Sequence, residues 1–106
     1  MNLVRVSGSS NVGRVARAIA GIVRAAEPIV IEAAGVAEVN QAIKAITLAR
    51  GYLQEDNIEI SFVPEIGEVR TDNSAESVLR FSIVWFGKTD RFLGGRRQML
   101  RNRYSS

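Results

Sequence analysis

Apolar residues alternate with polar ones over residues 3–7, which predicts a short first strand. From Val12 to Ala26 the apolar positions instead recur every three or four residues, which is the period of a helix. The polar turn between these segments offers Ser10 or Asn11 as a cap for the helix N-terminus, and Pro28 ends the helix. The opposite face of this predicted helix carries three basic residues: Arg14, Arg17 and Arg24.

The rest of the pattern predicts a buried strand, a second helix and a β-hairpin. The strand covers residues 29–34 and the helix covers residues 37–52, where Gly51 is placed as a C-terminal cap. Residues 58–63 and 78–85 alternate again, and the turn-prone residues 71–74 lie between them, so these two strands are expected to pair as a hairpin. The apolar face of the second helix contains Val39, Ala42, Ile43, Ile46, Ala49 and Leu53.

The predicted order is therefore β-α-β-α-β-β. A strand–helix–strand unit places its two strands in parallel with a right-handed crossover, so both helices are expected on one face of a four-stranded mixed sheet. This two-layer α/β sandwich accounts for residues 1–87 as one domain. After Gly87 the periodicity fails, and residues 88–106 are predicted to be a basic C-terminal extension in which residues 96–104 favour a short helix.

Composition excludes several kinds of chemistry. The chain has 106 residues with no histidine and no cysteine, so Ser-His-Asp and Cys-His nucleophiles and the usual zinc sites are impossible. We therefore expect a protein that is not an enzyme and that binds no metal, cofactor or small-molecule substrate. No apolar run approaches the roughly 20 residues that span a bilayer, and Arg5 interrupts the first apolar stretch, so neither a membrane segment nor a signal peptide is expected. A cytoplasmic location fits the lack of cysteine.

The net charge of +3 is unevenly distributed along the chain. Residues 1–50 carry six basic and three acidic residues, residues 51–87 carry two basic and seven acidic residues, and residues 88–106 carry six basic residues and one acidic residue. A chain polarised in this way has a basic side that attracts anions and an acidic side that repels them.

The predicted second helix resembles the stage V sporulation protein S family. The resemblance is carried by Gly35, by the segment Asn40-Gln41-Ala42-Ile43-Lys44-Ala45-Ile46 and by Ala49-Arg50-Gly51-Tyr52. It extends from Leu3 to about Val84 and includes the serine-rich first turn, the small-residue stretch 16–23 and Phe62-Val63-Pro64. That family is similar in fold to the archaeal chromatin proteins called Alba, which are small dimers that bind DNA or RNA. The resemblance thus implies an Alba-like sandwich. It also implies a homodimeric, non-enzymatic protein that binds nucleic acid and has a regulatory role in a process such as sporulation.

Candidate contacts to nucleic acid come from the first turn and the two helices. Asn40, Lys44 and Thr47 fall on one arc of the second helix, away from its apolar face. Arg50 falls beside apolar residues, so its guanidinium is expected to reach past the helix end to either a carboxylate or an anion. The candidate contacts are Arg5, Ser9, Ser10, Asn11, Arg14, Arg17, Asn40, Lys44 and Arg50. The alternative for each residue is an ordinary solvated surface.

The first turn also approaches the phosphate-loop pattern G-x-x-x-x-G-K-[ST] over residues 8–15. Arg14 stands where the pattern has lysine, and Val15 replaces the hydroxyl that would bind magnesium, so nucleotide hydrolysis is not expected. Two milder interpretations are equally open. The amides of the turn bind one phosphate at the helix N-terminus, or the turn is an ordinary helix cap.

Alba-like proteins also approach nucleic acid with the hairpin, but here Glu65, Glu68 and Asp72 surround Arg70. Phosphates would be repelled, so this contact is not transferred to the chain. These acids match no metal loop, and a solvated hairpin is expected.

The C-terminal extension allows two roles. Arg96, Arg97 and Arg101 are candidate phosphate contacts, whereas the apolar side chains of the extension would pack on a partner: Phe92, Met99, Leu100 and Tyr104.

The outer side of the second helix and the basic face bear on two further questions: whether two copies associate, and which partner the protein binds. Leu48 and Tyr52, with Ala45 beside them, are placed on the outer side of the second helix, which favours a homodimer. No aromatic residue is expected beside the basic face, so the sequence indicates no base preference. The sequence also does not distinguish DNA from RNA as the ligand. The alternative function is a protein-interaction module whose basic face meets an acidic partner in a sporulation or cell-division process.

Overall fold

The computed structural model describes residues 1–87, which form a four-stranded sheet and two helices. In chain order the elements are β1 (Asn2–Val6), α1 (Val12–Arg24), β2 (Ile29–Ala33), α2 (Val36–Leu53), β3 (Ile58–Arg70) and β4 (Ala75–Gly87), with a short 3-10 turn at Gln54–Asp56. The predicted order β-α-β-α-β-β is confirmed. The strands lie side by side as β1-β2-β4-β3.

The pairing of the strands makes the sheet mixed, as predicted. β1 and β2 are parallel, whereas β4 is antiparallel to both of its neighbours, β2 and β3. Helix α1 connects β1 to β2 and helix α2 connects β2 to β3, and both helices pack on one side of the sheet. The core between the layers contains these apolar side chains: Ala16, Ile19, Ala20, Val23, Ile29, Ile31, Ala42, Ala45, Ile46, Ala49, Leu53, Ile60, Phe81 and Ile83.

Helix α1 begins and ends close to its predicted limits. Asn11 is the N-cap, and its side-chain Oδ1 accepts a 2.9 Å hydrogen bond from the backbone N–H of Arg14. The helix ends at Arg24, two residues before the expected end, because Ala26 takes the left-handed conformation with φ of 58° and turns the chain toward Pro28.

Helix α2 corrects three expectations. Ala45 was expected on the outer surface but is completely buried, since α2 packs against α1 as well as against the sheet and therefore needs a wider apolar face. Tyr52 is partly buried against the same core, which leaves Leu48 as the exposed apolar residue of the three. Gly51 does not cap the helix, because α2 continues to Leu53.

The predicted hairpin is present, with arms longer than expected. Both strands have 13 residues, and Thr71 closes the turn by donating its N–H to the carbonyl oxygen of Ser74 at 2.8 Å. Strand β3 includes Pro64 and Gly67, which lie beyond the predicted strand of residues 58–63. Pro64 is tolerated within β3 because β3 is an edge strand, where a missing N–H need not break a ladder hydrogen bond.

Candidate nucleic-acid interface

The first turn, residues 7–11, is held together by its own side chains. The hydroxyl of Ser10 accepts a 2.8 Å hydrogen bond from the N–H of Ser7, and the Ser10 N–H donates to the Ser7 carbonyl oxygen at 3.1 Å. Ser9 is exposed, with its hydroxyl 3.3 Å from that of Ser7. The Ser10 hydroxyl and the Asn11 side chain are therefore already engaged in hydrogen bonds that hold the turn and cap α1.

This turn rests directly on the start of α2. The side-chain amide of Gln41 donates a 2.9 Å hydrogen bond to the carbonyl oxygen of Ser10. Gly8 lies so close that a Cβ at its position would sit 3.4 Å from the Cβ of Ala37. The structure therefore brings together the first turn and α2, the two parts of the proposed surface. Gln41 was not among the candidate contacts. Its position next to Asn40, on the flank of the helix, is the feature of the sequence that could have indicated its role.

Most basic side chains of residues 1–87 have a carboxylate partner. The five ion pairs are Arg5 with Glu32, Arg24 with Asp56, Arg50 with Glu59, Arg70 with Glu68 and Arg80 with Glu32. The other three basic residues of this part of the chain are Arg14, Arg17 and Lys44, which are exposed. Within the described residues their side chains form no ion pair or hydrogen bond, so their charge is available to a ligand.

Arg5 lies apart from these three cations. Its neighbours Val4 and Val6 face the core, so Arg5 lies on the sheet face away from the helices. There its Nε donates to one carboxylate oxygen of Glu32 at 2.9 Å, and the Nε of Arg80 donates to the other oxygen at the same distance.

Glu32 is almost completely buried, at 5% exposure, and bridges the two arginines across three strands. The hydrogen bond from Arg80 is the main cause that lowers the pKa of Glu32 below its ordinary value; the hydrogen bond and charge of Arg5 add to it, and burial opposes it.

Arg50 has the carboxylate partner that was one of its two alternatives. Its Nη2 donates to Oε1 of Glu59 at 3.1 Å while its Nε donates to Oε2, so the pair is bidentate. Glu59 is buried, and its hydrogen bond and charge raise the pKa of Arg50 above its ordinary value. Arg50 thus anchors the end of α2 to the start of β3, and half of its side chain stays exposed.

The outer surface of the two helices contains a groove and, next to it, a cleft. The groove, called here the interhelical groove, is lined by Val12, Ile43, Lys44, Thr47, Leu48 and Gly51. The neighbouring cleft is lined by Arg17, Ala20, Arg24, Tyr52 and Glu55. Tyr52 and Arg17 therefore line the same cleft, which corrects the expectation that no aromatic residue accompanies the basic face. The sequence did not indicate this, because the place of Tyr52 beside Leu48 on the outer side of the helix suggested only a contact between subunits.

Other candidate chemistry is limited in the part of the chain that the structure describes. No group of three or more acidic residues there is arranged to hold a metal ion. No helix among residues 1–87 is long and apolar enough to cross a membrane. The proposed tail contacts Arg96, Arg97 and Arg101 lie outside the described residues, as does the expected C-terminal extension.

Comparison with known proteins decides the family. The family model described as stage V sporulation protein S matches residues 2–86, which is nearly all of the described sheet and helices. The chain belongs to this family. Members of the stage V sporulation protein S family are generally non-enzymatic regulators, so the match assigns this chain to the regulatory proteins of sporulation.

A solved structure shows the same fold. Alba from Thermoplasma volcanium superposes with a TM-score of 0.53 over 81% of this chain and 99% of its own length, at 14% sequence identity. The Alba-like sandwich predicted for this member of the stage V sporulation protein S family is therefore confirmed.

Proposed function

We propose that this protein binds nucleic acid and acts as a regulator, with phosphate contacts made by Arg14, Arg17 and Lys44. The observation that carries the proposal is that these cations lack carboxylate partners within the described residues and project from the helical layer. Asn40, which is exposed on the same helix as Lys44, adds a neutral hydrogen-bond donor. DNA and RNA are both compatible with contacts to phosphate.

The distribution of charge supports a local contact surface. Residues 1–87 contain eight basic and ten acidic residues, so attraction to a polyanion cannot come from their net charge. It must come from the arrangement, in which acids neutralise the other arginines and leave three cations on the helices. The six basic residues of segment 88–106 would strengthen the attraction, and Arg96, Arg97 and Arg101 remain candidates for it.

The hairpin is expected to face away from the phosphates. Its exposed acids Glu65, Glu68 and Asp72 repel a polyanion, and its cation Arg70 is already paired with Glu68 at 3.1 Å. Repulsion at the hairpin together with attraction at the helices would orient the ligand across the helical layer.

The deciding experiment is a binding titration at several salt concentrations with charge-reversal variants. Each lost phosphate contact reduces the slope of log K against log salt by about 0.9 for duplex or about 0.7 for a single strand. We expect Lys44→Glu and Arg17→Glu to weaken binding and to reduce this slope, and Arg70→Glu, the same charge change on the hairpin, to leave the slope nearly unchanged. Binding that ignores salt, or equal effects of all three variants, would overturn the proposal.

We also propose a cytoplasmic homodimer, which the resemblance to the Alba proteins implies and whose contact between copies leaves the interhelical groove open. Light scattering at micromolar concentration tests the dimer, and a monomer there would exclude it.

A second candidate function is a protein-interaction module. An apolar cleft between the start of α2 and the base of the hairpin favours it, since Val36 is 89% exposed at its edge and Val39, Val78 and Leu79 line it. This alternative predicts that the purified protein ignores DNA and RNA, while an affinity pulldown recovers a defined protein whose binding is lost in Val36→Asp.

A further inference from the structure

The interhelical groove combines an apolar floor with flanking positive charge. Val12, Ile43 and Leu48 provide the apolar side chains, and Lys44 lies in the same lining. The adjacent cleft adds Arg17 together with Tyr52. The groove has a volume of about 440 Å³, within the range of roughly 300–1,000 Å³ that is typical of sites for small organic groups. It is therefore large enough for a nucleoside.

We propose that the interhelical groove binds single-stranded nucleic acid, with bases against the apolar floor and phosphates at Lys44 and Arg17. This inference rests on the proposed function and names the form of nucleic acid. A duplex hides the faces of its bases and offers mainly phosphates to a protein surface, so it would leave Leu48 and Ile43 without apolar partners. A single strand offers phosphates and unstacked bases together, and aromatic side chains such as Tyr52 are common platforms for those bases.

Gly51 supports a close approach of the ligand. It lies within α2 and lines the groove, yet a Cβ at its position would have nothing within 4 Å. Its φ is not positive, so neither the backbone conformation nor packing within residues 1–87 requires glycine there. Glycine inside a helix disfavours folding relative to alanine. An exposed stretch of bare backbone at this point lets a sugar or base approach α2 more closely than any side chain would allow.

Gly21 provides a matched control on the other helix. It too lies inside a helix, and a Cβ there would also meet nothing within 4 Å. Unlike Gly51, it is not among the residues that line the groove. Replacing either glycine with glutamine removes the helix penalty without changing the formal charge, so both variants are expected to fold.

The experiment measures binding of the full chain to oligothymidine and oligouridine of about 12 nucleotides, within the range of sites in single-strand-binding proteins, and to a duplex of equal length. We expect a single strand to bind at least about tenfold more tightly than the duplex, since stacking of one base is worth roughly 1–3 kcal/mol. Gly51→Gln should remove most of that preference, and Gly21→Gln should retain it. Circular dichroism confirms that both variants are folded.

The outcomes separate this inference from the proposed function. If Lys44→Glu and Arg17→Glu weaken binding but duplex binds as tightly as single strand, or Gly51→Gln has no effect, phosphate binding stands and the groove site is wrong. If no nucleic acid binds at all, both fail. If Gly51→Gln converts a dimer to a monomer and leaves the preference intact, the groove is an interface between two copies, which also overturns the inference.

Discussion

The side-chain amide of Gln41 is hydrogen-bonded to the backbone carbonyl oxygen of Ser10 at 2.9 Å. This bond joins residues 31 positions apart and fixes the first turn against α2. Because α1 begins immediately after that turn, the bond also sets where Arg14 and Arg17 lie relative to Lys44. The distance between these cations therefore depends on Gln41, a neutral side chain that contributes no charge to ligand binding.

Replacing Gln41 with leucine is expected to lower the free energy of unfolding by about 1 kcal/mol, the usual contribution of one hydrogen bond. Binding should weaken as well, because the first turn can then move relative to α2. Denaturant unfolding and a binding titration measure the two effects. Thr71→Val is the control, since the Thr71 hydroxyl bonds to Ser74 within the hairpin turn and lines neither the groove nor the cleft. Equal losses of binding in both variants would show that the turn is not positioned by Gln41.

The stability of the fold should depend on pH through Glu32. Its pKa is lowered in the folded state by Arg80 and Arg5, so its contribution is fully present above the unfolded pKa of about 4.3 and is lost as pH falls through the folded value. Unfolding titrations from neutral to acidic pH should show this loss.

Glu32→Gln keeps the shape of the side chain and removes its titration. We expect this variant to be less stable at neutral pH by about 2 kcal/mol, since it loses charged hydrogen bonds, and to lose less stability on acidification than the native protein does. The same acid sensitivity in both proteins would assign the pH dependence to other carboxylates.

Gly35 and Gly21 should respond in opposite directions to alanine. Gly35 has φ of 102°, and a Cβ there would sit 2.7 Å from Oε1 of Glu38, so Gly35→Ala is expected to destabilise the fold by about 1–2 kcal/mol. Gly21 lies in α1 with open space around it, so Gly21→Ala should stabilise the fold by up to about 1 kcal/mol. Thermal unfolding compares them, and a stable Gly35→Ala variant would contradict the strain at this residue.

Removing Arg50 should leave the buried carboxylate of Glu59 without its bidentate partner. We expect Arg50→Ala to cost about 1–2 kcal/mol of unfolding free energy, a value reduced because half of the Arg50 side chain is in water. Arg50→Lys retains the charge but not the paired geometry, so an intermediate loss is expected. If lysine restores full stability, the charge alone is sufficient.

The sequence predicted the elements well because hydrophobic period and capping residues are local properties. Asn11 as a helix cap and the turn at residues 71–74 were both recognisable from residue type alone. The full length of the hairpin was not, since proline and glycine usually break strands. Pro64 is accommodated only because β3 lies at the edge of the sheet, and that position depends on the strand order.

Contacts between distant residues account for most of what the sequence did not predict. Ala45 was assigned to the surface because the angle of a single helix gives no information about the position of α1, which buries it. Likewise, the spacing along the chain gave no sign that Glu32 would lie between Arg5 and Arg80, which are 27 and 48 residues away from it. The three unpaired cations were among the candidates, but only the assembled ion pairs distinguish them from Arg24 and Arg50.

The bridge made by Glu32 also protects the margin of the sheet. β1 has only five residues and is an outermost strand, so it is the strand most easily detached from the sheet. Its loss would uncover the hydrogen-bonding edge of β2, an open template for strand addition by another molecule. By binding Arg5 on one side and Arg80 on the other, one carboxylate ties β1 to the two strands beyond it and so helps to keep that edge covered.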